Sequence, residues 1–185
     1  MQYNNHMKTV LSFDISSSVI GWSKISFDKN KVELDNYGYF KPLKSKNIEE
    51  RLIDVEKKII EICKNNSSDF YAVESYANKF SKGRSTANTI KILSVFNEIV
   101  NLSIFRETNK FTTRFPVVTI RSCVGKHIGK KIVSKEETFD LLKNLFKNYK
   151  LEYNRNNNVR KECYDVVDSF AVGICFIYKK LNGDI

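Results

Sequence analysis

Apolar and polar residues alternate from Thr9 to Ile15, with Val10, Ser12 and Asp14 on one face, and that period of two predicts a strand. A polar turn, Ser16-Ser17-Ser18, separates it from a second strand, Val19 to Phe27, which contains Trp22. Asp28-Lys29-Asn30 is a turn signal before a third strand, Val32 to Phe40, and Pro42 ends the run. Three consecutive strands with short turns predict an antiparallel meander. The period then changes. Ile48, Leu52, Val55, Ile59 and Ile62 make a helical stripe between about Asn47 and Lys64, closed by Asn65-Asn66-Ser67-Ser68. Phe70 to Glu74 is a short apolar strand whose one charge, Glu74, comes last.

A polar segment, Ser75 to Ser85, precedes a helix with the stripe Ile90, Leu93, Phe96 and Val100, for which Ser85 is the expected cap. Pro116 to Arg121 is rich in β-branched residues and predicts a fifth strand, followed by a flexible basic loop, Gly125 to Lys131. Ser134-Lys135-Glu136-Glu137 is a capping box opening a helix with Phe139, Leu142, Leu145 and Tyr149 inward. After a polar loop at Asn154 to Asn158, the stretch Tyr164 to Phe176 is apolar nearly all round a helix, so it should be buried on most sides.

Strands separated by helices should run parallel to the first strand through right-handed crossovers. The expected fold is therefore α/β: a mixed five-stranded sheet, three antiparallel strands and then two parallel, with helices on both faces. There is no internal repeat and no linker long enough to divide the chain. Residues 1–185 read as one domain, with 1–8 as a disordered polar tail.

Charge narrows the partners. The chain carries 31 Lys and Arg against 21 Asp and Glu, a net +10, which points to a polyanion and to nucleic acid ahead of a membrane surface. From Lys110 to Lys135 there are seven basic residues and no acidic one. No apolar run approaches a membrane span, and the N-terminus has no signal-peptide core. Cys63, Cys123, Cys163 and Cys175 are scattered without metal-ligand spacing, and His6 and His127 do not cluster with them. They read as reduced thiols, which places the protein in an intracellular, reducing compartment, the cytoplasm or a viral replication site.

The candidate chemistry lies in the acids. In sheets of this kind sites form at the carboxyl ends of the strands. Asp14 ends the first strand and Glu74 the fourth, so the two meet side by side if those strands are neighbours. Asp165 and Asp168, three apart, share one face at the start of the last helix. Two aspartates there could simply favour the positive end of the helix dipole. The alternative is that the helix brings them to Asp14 and Glu74.

The pattern Asp, Glu, Asp-x-x-Asp, with Leu-Ser-Phe-Asp-Ile-Ser-Ser-Ser-Val-Ile-Gly-Trp around the first acid, resembles the RuvC-type Holliday junction resolvases of the ribonuclease H-like superfamily, in a style similar to phage and poxvirus versions. Glu49-Glu50-Arg51-Leu52, Tyr71-Ala72-Val73-Glu74, Val124-Gly125 and Lys135-Glu136 fit the same resemblance, which covers roughly Val10 to Tyr178. It implies a ribonuclease H-like fold, and it implies that Asp14, Glu74, Asp165 and Asp168 are catalytic acids binding two Mg²⁺ ions, with Mn²⁺ as a substitute. Phosphodiester hydrolysis needs an activated water and a stabilised leaving oxygen, which paired hard cations on carboxylates supply. Asp14, central in the set, is the expected bridging ligand.

The expected substrate is branched DNA, especially a four-way junction. Tyr76, Lys79, Lys82, Arg84, Arg121, Lys126, Lys130, Lys131 and Lys135 are the expected DNA contacts, with Tyr76 or Phe80 as an aromatic wedge. A two-fold substrate is met most simply by a homodimer. The helix from Ser85 to about Phe105 carries more apolar residues than one buried stripe needs, and it is the expected interface. Two other readings share this fold: a nuclease for RNA–DNA hybrids, flaps or other branched DNA, and a non-catalytic nucleic-acid-binding protein.

Overall fold

A computed structural model describes residues 7–76, 87–131 and 134–185. Strand β1 (Lys8–Ile15), β2 (Ile20–Phe27) and β3 (Val32–Phe40) form the antiparallel meander, and β1 starts inside the segment expected to be a disordered tail. Polar side chains set the turns. Ser16 Oγ accepts from the Val19 amide at 3.0 Å between β1 and β2, and Asp28 Oδ1 accepts from the amides of Asn30 and Lys31 between β2 and β3. Helix α1 (Ile48–Asn65) is capped by Asn47, whose side chain accepts from the Glu50 amide. Strand β4 (Phe70–Glu74) pairs parallel to β1, and helix α2 (Ala87–Thr108) follows the undescribed segment 77–86. Strand β5 (Thr113–Phe115) pairs parallel to β4, giving the order β3-β2-β1-β4-β5.

The next element differs from expectation. Residues 116–121 do not make the fifth strand. Helix α3 (Val117–Ile128) occupies them, and β5 lies just before, only three residues long. Pro116, at φ −65°, has the backbone of a helix entry and no N–H for a sheet ladder. The β-branched run Val117-Val118-Thr119-Ile120 is outweighed by a helical stripe, Ile120, Cys123 and Val124, buried against the last helix. The segment expected as a basic loop is largely ordered too: Gly125 to Ile128 complete α3, and Gly129, at φ 73°, caps it in the left-handed region that glycine adopts freely.

Helix α4 (Lys135–Leu145) starts at the expected cap, with Ser134 Oγ accepting from the Glu137 amide. It ends at Leu145, which is exposed, while Phe146 is buried in its place and Tyr149 packs from beyond the helix. Helix α5 (Glu162–Leu181) is buried on nearly all sides.

The period of two divides the sheet into two cores. Val10 and Ala72 face α3, α4 and α5; Leu11, Phe13, Tyr71 and Val73 face α1 and α2. Helix α5 lies close on the sheet because two glycines permit it. A Cβ on Gly173 would come within 2.7 Å of Ile25, and one on Gly21 would collide with the Asp165 carbonyl. Ser12 Oγ then donates to the Ser169 carbonyl at 2.9 Å, fixing α5 along β1. Among the described residues all four cysteines are free and buried, and no helix is long and apolar enough to cross a membrane.

Candidate active site

The β1–β4 register runs from Val10↔Phe70 to Phe13↔Val73, so Asp14 and Glu74 stand one position further along, side by side. Both continue the face that carries Val10 and Ala72, and so both turn toward α5. Gly21 is the antiparallel partner of Asp14, and it admits the backbone of α5 at Asp165. The sheet thereby brings the first two turns of α5 to the two strand ends. Asp14, Glu74, Asp165 and Asp168 line one cleft of about 330 Å³, with Lys135 and Arg121 at its wall.

The electrostatics of the cleft are those of crowded, desolvated carboxylates. Burial raises the Asp14 carboxyl well above the usual range, and Glu74, Asp168 and Asp165 push it further in that order. Glu74 is raised to about 7, by burial first and then by Asp168, with Lys135 and Arg121 opposing. Asp165 is raised to about 6 by burial, with Lys135 opposing and Asp168 adding to it. Asp168 is also raised by burial, although Lys135 and Arg121 act against the rise. Asp14 thus feels the other three acids, and Glu74 and Asp165 each feel Asp168.

One cation is built into the set. Lys135 Nζ lies 2.5 Å from Asp168 Oδ2. Burial alone would lower the Lys135 ammonium; Asp168, Asp14 and Asp165 outweigh it and hold it above its ordinary value. Among the described residues no three Asp, Glu, His or Cys side chains stand grouped as ligands of one ion, and Asp168 is turned to Lys135. The donor set nevertheless fits a hard divalent cation. It is all carboxylate oxygen, partly buried, and four acids face only Lys135 and Arg121 as opposing charges in the cleft lining.

The expected DNA contacts divide into three groups. Arg121, Lys126, Lys130 and Lys131 line a second cleft of about 620 Å³ along the exposed flank of α3. Arg121 lines both clefts, so the basic flank runs directly into the acid site. Lys130 is partly engaged by Glu137 at 2.8 Å. Lys135, expected as a phosphate contact, stands inside the acid cleft. Tyr76 is half-buried two residues beyond Glu74, while Lys79, Phe80, Lys82 and Arg84 lie outside the described residues.

Two features of the site do not show in the sequence pattern as read above. The basic residues nearest the α5 acids along the chain are Arg160 and Lys161, but the neutralising lysine is the first residue of α4. Arg160 and Lys41 instead pair with Glu162, whose carboxyl they hold low, at about 2. Gly21 is the other feature, and it does leave a signal: a glycine in the middle of an expected strand marks a close approach of backbone.

No protein-family model matches the chain, and no curated protein matches it by sequence. Solved structures do. Thermus thermophilus RuvC in complex with a Holliday junction substrate superimposes with a TM-score of 0.71 at 11% identity, covering 95% of this chain and 96% of that one. A second Thermus thermophilus RuvC structure gives 0.70 at 13% identity, again over 95% and 96%. The yeast mitochondrial Holliday junction resolvase Ydc2 gives 0.63 at 12% identity, over 94% of this chain and 80% of that one. At so low an identity what is shared is architecture: the chain has the RuvC-type, ribonuclease H-like fold, over nearly its whole length.

Proposed function

We propose that this protein is a structure-selective endonuclease that resolves four-way DNA junctions by metal-dependent phosphodiester hydrolysis. The observation that carries the reading is the convergence of Asp14, Glu74, Asp165 and Asp168 in one cleft that opens onto a basic flank. The RuvC-type fold supports the choice of substrate, since one of the similar structures is a complex with a Holliday junction.

The four carboxylates would hold two Mg²⁺ ions. The chemistry such ions would supply there is activation of water and neutralisation of phosphate charge. The chain supplies the rest. Burial keeps the carboxylates desolvated, so each attracts a cation more strongly than it would in water. Asp14 and Glu74, at adjacent strand ends, fix one side of the site; Asp165 and Asp168, one turn apart on α5, fix the other. Lys135 pairs with Asp168, and in this reading it would turn to a phosphate oxygen once a metal takes over the carboxylate. Arg121, Lys126, Lys130 and Lys131 take the phosphates of the strand beyond the scissile one. In the reaction water adds to phosphorus, one phosphorus–oxygen ester bond breaks, and the products are a phosphate monoester and a hydroxyl.

The protein works as a homodimer in this reading, because a two-fold junction needs two matched nicks. Part of the apolar surplus of α2 lies under α1, where Phe96, Val100 and Ile104 are buried. Ile92 and Ile99 pack against the same core, whereas Leu102 is exposed and Phe105 stacks at 4.7 Å on Phe111, which is 85% exposed. That patch, flanked by the Glu98–Arg114 ion pair, is the proposed interface.

The test is purified protein with Mg²⁺ on labelled four-way, three-way, flap and RNA–DNA hybrid substrates. Paired nicks in the four-way junction support the reading. Preference for the hybrid or the flap would move the protein to another nuclease class of the same fold, and binding without cleavage would make it a non-catalytic binder. Light scattering should give twice the 21.5 kDa chain mass. A monomer both alone and on DNA would overturn the dimer.

A further inference from the structure

Arg51 lies in the first turn of α1 and does something no neighbouring cation does. Its Nη2 donates to the Ser17 carbonyl at 2.5 Å, and its guanidinium carbon stands 4.9 Å from the centre of the Phe96 ring. Its Nε is buried and, among the described residues, has no hydrogen-bond partner. Among the described residues no carboxylate pairs with it.

A half-buried guanidinium with no counter-ion and an unpartnered N–H is a poor stabiliser. A methionine or leucine would fill the same space between α1 and Phe96 without desolvating a charge. What an apolar side chain could not do is hold the Ser17 carbonyl. Ser17 sits in the turn that follows Asp14 and Ile15, and Ser16 of that turn lines the acid cleft. Phe96 belongs to α2, and Leu93, three residues earlier on the same helix, lines that cleft as well. One side chain therefore joins three elements around the site: α1 by its own backbone, the β1–β2 turn by a charge-assisted hydrogen bond, and α2 by its contact with an aromatic face.

We infer that Arg51 is a positioning residue for cleavage. Its guanidinium locks the β1–β2 turn against α2 and so fixes the Asp14 end of β1 at the mouth of the cleft. The inference rests on the nuclease reading for its kinetic consequence and on the hydrogen bond alone for its structural one.

The experiment compares Arg51→Met and Arg51→Lys with Ile59→Val, which trims a methylene from the α1 core away from the site. Arg51→Met should lower the single-turnover rate on a four-way junction at least tenfold while leaving junction affinity within twofold of wild type. It should also speed amide hydrogen exchange at Ser16 to Val19 specifically. Arg51→Lys should recover part of the rate, since an ammonium still donates to Ser17 but cannot lay a plane on Phe96. Ile59→Val should keep the full rate even where its melting temperature falls as far. A rate within twofold of wild type in Arg51→Met, or a loss matched by Ile59→Val, would overturn the inference. So would unchanged exchange at the turn. Should Arg51→Met fail to fold, Arg51→Lys carries the same comparison. If wild type cuts none of the substrates, the nuclease reading falls, while the exchange measurement still decides whether Arg51 holds the turn.

Discussion

The acid floor of the cleft and the basic flank beside it carry opposite charges on opposite kinds of support. Asp14, Glu74, Asp165 and Asp168 stand on two inner strands of the sheet and on a helix buried nearly all round. Their positions are dictated by the core. Lys126, Lys130 and Lys131 stand on the exposed side and at the end of α3 on long stems, Lys130 in a surface ion pair with Glu137. The contrast suits the roles proposed for the two kinds of charge. A carboxylate that holds a metal has to be placed to a fraction of an ångström, whereas a lysine that neutralises a phosphate only has to be near it.

The contrast breaks most visibly at the acids. Asp14→Asn, Glu74→Gln, Asp165→Asn and Asp168→Asn should each lower cleavage at least a hundredfold, on the order of removing one charge-stabilising group from an active site. Junction binding should survive in each, read by gel shift. Chelation by EDTA should do the same to wild type. A wild-type rate in any one variant would remove that acid from the site.

Gly21→Ala tests whether placement matters as much as charge. Its new methyl would collide with the Asp165 carbonyl and lift the start of α5 from β2. A displacement near 1 Å at the site costs up to about a hundredfold in rate. Gly129→Ala, at a left-handed cap on the basic flank with nothing within 4 Å of its Cβ, is the matched control. It should lose stability by about 1 kcal/mol and keep its rate. Equal losses of rate in the two variants would erase the distinction between floor and flank.

On the flank the effect should be graded. Replacing Lys126, Lys130 and Lys131 by Ala should flatten the plot of log affinity against log salt by about 0.9 for each phosphate that is no longer neutralised. An unchanged slope would mean that the α3 flank does not touch DNA.

The smallest effect is in stability without metal. Glu74, at about 7, and Asp165, at about 6, sit above the values near 4 that carboxyls have in an unfolded chain. Between those values the folded state holds more protons than the unfolded one, so stability should fall as pH rises from about 4 to about 7. Urea midpoints in EDTA measure it, and Mg²⁺ should restore what is lost at the upper end. A midpoint that rises through this window would show that the acids are not crowded as described.

Much of this was legible in the chain. Alternation placed β1, turn signals bounded β2 and β3, and a helical stripe placed α1. The Asp-x-x-Asp spacing on an all-round apolar helix marked α5 as the buried carrier of two acids. What misled was the stretch from Thr113 to Gly129. Val-Val-Thr-Ile has strand propensity, but its residues alternate poorly, and Ile120, Cys123 and Val124 recur at helical spacing once Pro116 is read as an entry instead of a strand start. The true strand, Thr113–Phe115, is too short to show a period at all. Lys135 could not have been found as the partner of Asp168 by any local rule. The two are joined only when α4 folds back over the strand ends.

Helix α5 is the core of one face of the sheet and also the mount for half of the acids. Its amides should therefore exchange with solvent only through global unfolding, among the slowest in the molecule. Heating should then leave the spacing of the acids untouched until the whole domain melts. Activity and structure would be lost at one temperature, with no folded but inactive form between them.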